Sequence, residues 1–297
     1  MQTEQPANGS PVLTHRRKSQ AVRRKLIRRL RHTADEKRAQ GRYSEAETLY
    51  LRALALAELV CGCEEVAVIC NNLAVLYKDM GRFDEAERLY RRALPLMERS
   101  LTPEHREIAT LYHNLGGLEH ARGRFAAGEP MARRSVEIRE QALGPHHPEV
   151  AADVAALAAI LDAQGKRDEA EALYRRALEI FECEFGPEHY EIAVNLNNLA
   201  ALKYAQGDLG ESERLYRRAL TIKENLLTSE HPDVAVTLNN LAVLSKARGR
   251  YIEAGEMYRR ALAIFEKSFG PAHPKVISCR LNYASLIRKM EGRTHEN

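Results

Sequence analysis

The sequence predicts an all-α protein assembled from tandem two-helix repeats. Three observations carry that prediction. The pentapeptide Tyr90-Arg91-Arg92-Ala93-Leu94 returns at Tyr174, Tyr216 and Tyr258, with a degraded copy, Ala132-Arg133-Arg134-Ser135-Val136, at the missing interval. A glycine column (Gly81, Gly123, Gly165, Gly207, Gly249) and a histidine column (His105, His147, His189, His231, His273) keep the same 42-residue period. Within each period the apolar residues fall at helical spacing, and no stretch alternates as a strand would.

The first weak copy is marked by Gly41, with Glu45-Ala46-Glu47, Tyr50 and Ala53-Leu54 on the shared template. In the next, Cys70, Leu73, Ala74 and Tyr77 follow the i, i+3, i+4, i+7 rule over Ile69 to Met80, and Gly81-Arg82 ends that helix. Phe83-Asp84-Glu85-Ala86-Glu87 reads as a helix start, with Asp84 as cap, Glu87 three residues on and Phe83 as staple. Ala86, Leu89, Tyr90, Ala93 and Leu94 form the buried face that follows. The exit is fullest at Gly144-Pro145-His146-His147-Pro148, where Gly stops one helix and Pro opens the next. Repeats are expected at about 22–62, 64–103, 106–144, 148–186, 190–228 and 232–270. A terminal capping helix at 274–291, a tail at 292–297 and a basic, disordered segment over 1–20 complete the chain. The third repeat has Gly128 and Pro130 in its second helix and Ala132 in place of Tyr, so it is expected to be a flexible joint.

Composition narrows the function classes. An apolar fraction of 44% excludes global disorder, and the apolar run Val154 to Leu161 is far below the ~18 residues of a membrane span. No apolar leader follows Met1, and five cysteines are too few and odd in number for a disulfide framework, so a cytoplasmic location is expected. No glycine-rich phosphate loop, nucleophile–base set or paired carboxylates occur, so no enzymatic activity, cofactor or small-molecule substrate is expected.

Leu73, Ala74, Tyr77, Gly81, Phe83, Ala86, Tyr90 and Ala93 resemble the tetratricopeptide repeat pattern. The 42-residue length and phrases such as His231-Pro232-Asp233-Val234-Ala235-Val236-Thr237-Leu238-Asn239-Asn240-Leu241-Ala242 are similar to the kinesin light chain type, over about residues 33 to 291. The resemblance implies a right-handed superhelical solenoid that works as a scaffold and holds an extended peptide in a concave groove. Kinesin light chains carry an N-terminal heptad coiled coil that binds the motor; no such run precedes the repeats here, so a motor role is not implied.

First helices are expected to line the groove, with residues 68, 72, 75 and 79 opposite the core. One column reads Asn72, Asn114, Ala156, Asn198, Asn240, Asn282, and its neighbour reads Asn71, His113, Ala155, Asn197, Asn239, Leu281. Asn is a mediocre helix former, so this repetition has another cause. Two readings stand side by side. The carboxamides hold a peptide backbone, as the family resemblance implies for matching positions, or they bridge adjacent repeats. Around a floor of Val68, Val75, Ala159, Val194, Ala201, Val236 and Val243 stand Lys78, His120, Asp162, Tyr204, Lys246 and Arg288. The candidate peptide-binding set is therefore Asn71, Asn72, Lys78, Asn114, Asn197, Asn198, Tyr204, Asn239, Asn240, Lys246 and Asn282, suited to an acidic or carboxylate-bearing partner.

Other signals read as structural. The histidines lie one repeat, ~10 Å, apart, too far to share a metal, and so read as caps. Cys61 and Cys63 are a weak thiolate pair, and Cys70 sits at a core position. Glu87, Glu129, Glu171 and Glu213 precede Arg91, Arg133, Arg175 and Arg217 by four residues, the favourable order for surface pairs. The N-terminus differs in kind. Residues 1–31 hold nine Lys/Arg and one Glu, whereas the remainder has 36 Lys+Arg against 40 Asp+Glu. Val22, Leu26 and Leu30 predict an amphipathic cap from Ala21 onward. The alternative function is docking on nucleic acid, the ribosome or an acidic membrane through Arg16 to Arg31.

Overall fold

The computed structural model describes residues 11–60 and 62–294, with side chains described from 20 to 60 and from 62 to 291. Among the described residues there are thirteen helices and no strand. The chain divides into two compact units, one ending at Gly144 and the other beginning at Pro145. The first holds α1 (Pro11–Ala39) with α2 (Tyr43–Val60), α3 (Cys63–Asp79) with α4 (Phe83–Ser100), and α5 (Arg106–Ala121) with α6 (Phe125–Leu143). The second holds α7 (Pro148–Ala163) with α8 (Arg167–Phe185), α9 (Tyr190–Gln206) with α10 (Leu209–Leu226), α11 (Pro232–Ala247) with α12 (Tyr251–Phe269), and finally α13 (Pro274–Thr294). In both units each helix packs on the next, and first helices also touch the first helices of neighbouring repeats. Each unit is thus a solenoid of helix pairs.

The turn inside each repeat explains the glycine column. At Gly81 the N–H donates to the Lys78 carbonyl at 3.0 Å and Arg82 N–H reaches back to Tyr77 at 2.8 Å. This is the reciprocal pair that closes a helix through a left-handed residue. The same two bonds recur at Gly207, where φ is +86°, from Gly207 to Tyr204 and from Asp208 to Lys203. A Cβ on Gly207 would meet nothing within 4 Å, so it is the backbone angle that demands glycine and not a shortage of space.

Helix starts follow two rules. His105, His147, His189, His231 and His273 each accept a hydrogen bond at Nδ1 from the backbone N–H two residues on, at 3.1–3.3 Å. They are N-caps, as their place ahead of the first turn predicts. Second helices differ from the expectation. Arg82, not Asp84, is the N-cap of α4, and its side chain makes no cap bond. The glycine turn delivers the chain straight into the helix, so Asp84 falls inside the first turn and accepts from Arg122 instead, at 2.7 Å. In the equivalent place before α10, Asp208 does cap, accepting from Glu211 N–H at 3.0 Å.

The core alternates small and large residues. Ala46, Tyr50 and Ala53 of α2, Ala86, Tyr90 and Ala93 of α4, and Ala254, Tyr258 and Ala261 of α12 are fully or almost fully buried. The small positions let paired helices approach, and the tyrosine fills the space beside them. The third repeat keeps this logic with different residues. A Cβ on Gly116 would lie 3.3 Å from the Ala132 nitrogen and 3.4 Å from the Gly128 carbonyl oxygen. With Gly116, Gly128 and Ala132 at the contact, α5 and α6 close the space that tyrosine fills elsewhere. Despite Pro130, α6 is continuous from Phe125 to Leu143.

Neighbouring repeats are joined by ion pairs on the second-helix side. In the first unit Glu47 accepts from Arg82 at 2.8 Å, and Glu87 from Arg122 at 2.5 Å. In the second, Glu171 accepts from Lys203 at 2.6 Å, and Glu213 takes Arg250 at 2.8 Å together with Arg248. The hydrogen bond from Arg122 holds the Glu87 carboxyl below its ordinary range, and that from Arg250 does the same for Glu213. Their stabilisation therefore stands at neutral pH and is lost as pH falls through the lowered carboxyl values.

The basic N-terminus departs from expectation in two ways. Helix α1 starts at Pro11, so residues 11–20, expected to be disordered, are helical; residues 1–10 lie outside the described residues. The packing stripe is Ile27, Leu30 and Ala34, whereas Val22 and Leu26 are 68% and 38% exposed. The buried edge of α1 begins only at Ile27, rotated away from the i, i+4 series that starts at Val22.

The glycine geometry gives a paired prediction. Gly207→Ala should cost about 1–2 kcal/mol because alanine must take a left-handed backbone. Gly210→Ala, inside α10 with only an ordinary 3.8 Å contact to Asp208, should gain up to about 1 kcal/mol. Urea midpoints of the two variants against the parent chain would measure both.

Candidate functional site

The asparagine columns lie on the face of the first helices, and each of these side chains is partly buried. Helical geometry places two consecutive asparagines on that face in α3, α9 and α11, and within each unit the repeat period brings the columns of adjacent repeats together. In the first unit Asn114 donates from Nδ2 to Asn71 Oδ1 at 2.8 Å, Asn71 to Asn72 at 3.3 Å, and Asn72 to Asp35 at 3.3 Å. The second unit repeats the motif. Asn282 donates to Asn239 at 3.3 Å, Asn239 to Asn240 at 3.5 Å, and Asn240 to Asn197 at 3.5 Å. Thr237 Oγ1 also reaches Asn197 Oδ1, at 3.2 Å.

The bridging reading of these columns is thus realised, but it does not exhaust them. A carboxamide has two donor hydrogens and two acceptor lone pairs. Each bridge uses one N–H, so a second donor and an acceptor position remain on most of these residues. Asn198 is a special case. The place that Asn71, Asn197 and Asn239 occupy in other repeats is Ala155 in α7, and Asn198 has no side-chain partner among the described residues. Its carboxamide retains full hydrogen-bonding capacity.

The flanking cations also divide. Lys246 Nζ donates to Ser285 Oγ at 2.6 Å on the following first helix. Lys78 stands in the same column, but the residue matching Ser285 is Gly117, whose absent Cβ would lie 3.8 Å from the Lys78 ammonium. Burial lowers the Lys78 pKa from its usual value; the nearby Asp79 carboxylate offsets part of that cost by charge alone, without a hydrogen bond to the ammonium. Lys78 is an ammonium held on the asparagine face with its hydrogen-bonding capacity unspent. Tyr204 is 36% exposed on the corresponding face of α9, and His120 packs its ring on Phe125 at 5.3 Å.

The other sequence signals resolve as structure. Glu87, Glu129, Glu171 and Glu213 pair with the arginine four residues on, at 2.6–3.0 Å. The second arginine of each motif does something the sequence reading missed. Arg92 reaches Glu58 at 2.5 Å, Arg218 reaches Glu182 at 2.6 Å, and Arg260 reaches Glu224 at 2.7 Å, each on the preceding second helix. Arg176 instead donates to the Pro145 carbonyl at 3.2 Å. The signal was available as an acid 34 or 36 residues before that arginine. Of the cysteines, Cys70 and Cys279 are buried, which pushes each thiol up to about 11; Cys63 is exposed and Cys61 lies outside the described residues. No helix among the described residues is long and apolar enough to cross a membrane.

Stacked helix hairpins with one polar, periodically functionalised face define a repeat scaffold for protein–protein interaction. The tetratricopeptide repeat model matches residues 34–106, 107–183, 154–225, 191–250 and 233–296, and the chain belongs to that family. Its repeats are similar to those of kinesin light chain-like proteins. The solved structure of BtubC (BKLC) from P. vanneervenii is 26% identical, with a TM-score of 0.59 over 85% of this chain and 94% of that one. A Podosopora anserina putative kinesin light chain with nearly identical TPR-like repeats is also 26% identical, with a TM-score of 0.55 over 67% of this chain and 95% of that one. A second solved form of that fungal protein, carrying one substitution, gives 0.57 over 67% and 94%. A comparison with curated protein sequences gives no match. The family is generally one of non-enzymatic interaction scaffolds.

The Lys78 environment makes a prediction. Gly117→Ser supplies the hydroxyl that Ser285 gives Lys246 and removes a helix-interior glycine. It should raise stability by about 0.5–1.5 kcal/mol in urea titration.

Proposed function

We propose that the first-helix face of each compact unit binds an extended peptide segment of a protein partner, with asparagine carboxamides on the peptide backbone in both units and Lys78, in the first unit, on an acidic side chain. The observation that carries this reading is Asn198, a partly buried carboxamide in the ladder column with no internal partner. A polar side chain that is partly buried and bridges nothing has little structural reason to occupy an interior helix position. Spacing supports it too. Repeats stack at ~10 Å, close to three residues of an extended strand at ~3.3 Å each. One carboxamide per repeat can therefore meet the backbone at a regular interval. Lys78 gives the face of the first unit a cation without an internal hydrogen-bond acceptor, which favours an acidic segment there.

Asn198 and Asn240 separate binding from folding. Asn240 donates to Asn197, so Asn240→Ala should cost stability of about 1 kcal/mol. Asn198→Ala should not lower the urea midpoint, and should raise it slightly because alanine is the better helix former. For peptides selected from a displayed random library on the parent chain, Asn198→Ala should weaken affinity about 3- to 10-fold, and selection on Lys78→Gln should lose the enrichment in acidic residues. Titration calorimetry reads the first effect and reselection the second. Unchanged affinity for Asn198→Ala across all selected peptides contradicts the proposal.

A further inference from the structure

Residues 20–26 of α1 contribute no buried side chain to the described core. Helix α1 has 29 residues, or ~43 Å, whereas its partner α2 has 18, or ~27 Å. Every residue from Gln20 to Leu26 is exposed, and the first buried side chain is Ile27. The helix therefore continues N-terminally past its packed portion.

Its charge is one-sided. No Asp or Glu occurs between Glu4 and Asp35, while nine Lys/Arg do. Arg31 is used internally, pairing with Glu65 at 3.3 Å. Arg23, Arg24, Lys25, Arg28 and Arg29 are all exposed and make no ion pair with any described residue. Arg24 with Arg28, and Lys25 with Arg29, are like charges at i, i+4, an arrangement that destabilises an isolated helix. An anionic counter-surface removes that repulsion.

Two apolar side chains decide which anionic surface. Val22 and Leu26, one turn apart, are 68% and 38% exposed and add nothing to the buried core among the described residues. On the helical wheel they lie about a quarter turn from the packed edge of Ile27, Leu30 and Ala34, flanked by Lys25 and Arg29 on one side and Arg23 on the other. Nucleic acid offers phosphates but no use for an aliphatic pair, and residues 16–31 contain no aromatic side chain to stack on bases. A bilayer interface uses both features. Aliphatic side chains enter the headgroup–acyl boundary while flanking Lys and Arg reach to anionic headgroups.

We propose that residues 20–31 of α1 dock the protein on an anionic lipid surface, with Val22 and Leu26 inserted and Arg23, Lys25 and Arg29 on the headgroups. This surface is separate from the asparagine face, so lipid docking and peptide binding are independently testable.

Vesicle flotation of the full chain tests it. Vesicles contain phosphatidylcholine alone or with about 30% phosphatidylserine, at ~150 mM salt. The parent chain should float with the anionic vesicles and not with the neutral ones. Arg23→Gln/Lys25→Gln/Arg29→Gln should lower partitioning by roughly tenfold or more, and so should Val22→Ser/Leu26→Ser, which keeps every cation. These side chains lie outside the core, so circular dichroism and the thermal midpoint should match the parent. No flotation with anionic vesicles overturns the proposal. So does undiminished flotation of Val22→Ser/Leu26→Ser. Binding of a labelled single-stranded RNA that is tighter than vesicle binding and insensitive to that variant also overturns it, and assigns the patch to nucleic acid.

Discussion

The structure depends on the fact that one helix hairpin cannot bury its own apolar face. A repeat carrying Ala86, Tyr90 and Ala93 on one helix and Leu73 and Ala74 on the other closes one side and leaves another open to the next hairpin. Everything else keeps that stacking in register. The left-handed glycine fixes the angle within a hairpin. The histidine cap starts the next one. Ion pairs such as Glu47–Arg82 and Glu213–Arg250, and the arginine staples from Arg92, Arg218 and Arg260, then tie second helix to neighbouring repeat. Individually these exposed or half-exposed pairs are worth little. Their value lies in repetition at one spacing, which excludes a shifted stack.

That register also builds the asparagine face. Because each first helix sits one repeat from the last, a carboxamide at a fixed position meets a carboxamide or its replacement. Where Ala155 replaces asparagine the ladder is interrupted and Asn198 is left with its capacity unused. Where Gly117 stands in the Ser285 column, Lys78 is left without an acceptor. The two candidate binding groups are thus by-products of single departures from the repeat, one in each compact unit.

Much of this was legible in the sequence because period is a strong signal. Helix pairs, glycine turns, histidine caps and the column positions all follow from a 42-residue recurrence and helical spacing. What escaped depended on register finer than a period. Asp84 looks like a cap by composition, but the glycine turn brings Arg82 to the cap position. Val22, Leu26 and Leu30 form a plausible apolar stripe, yet only Leu30 is buried, since the buried edge of α1 begins at Ile27. Gly128 and Ala132 read as lost packing. With Gly116 opposite them they make a closer helix contact, which no single-helix reading reveals. Cross-repeat bonds such as Arg260–Glu224 join residues 36 apart, and they become visible only once the stack is known.

The central claim is that the asparagine ladder is both an internal brace and a recognition surface, with Asn198 its open position. Side-chain amide resonances of a nitrogen-15-labelled chain, followed during titration with a selected peptide, test that claim most directly. The account predicts that the Asn198 carboxamide signals shift furthest, while Asn197, Asn239 and Asn240 move less because their bridges persist. Saturable peptide binding that leaves the Asn198 signals unmoved would contradict it.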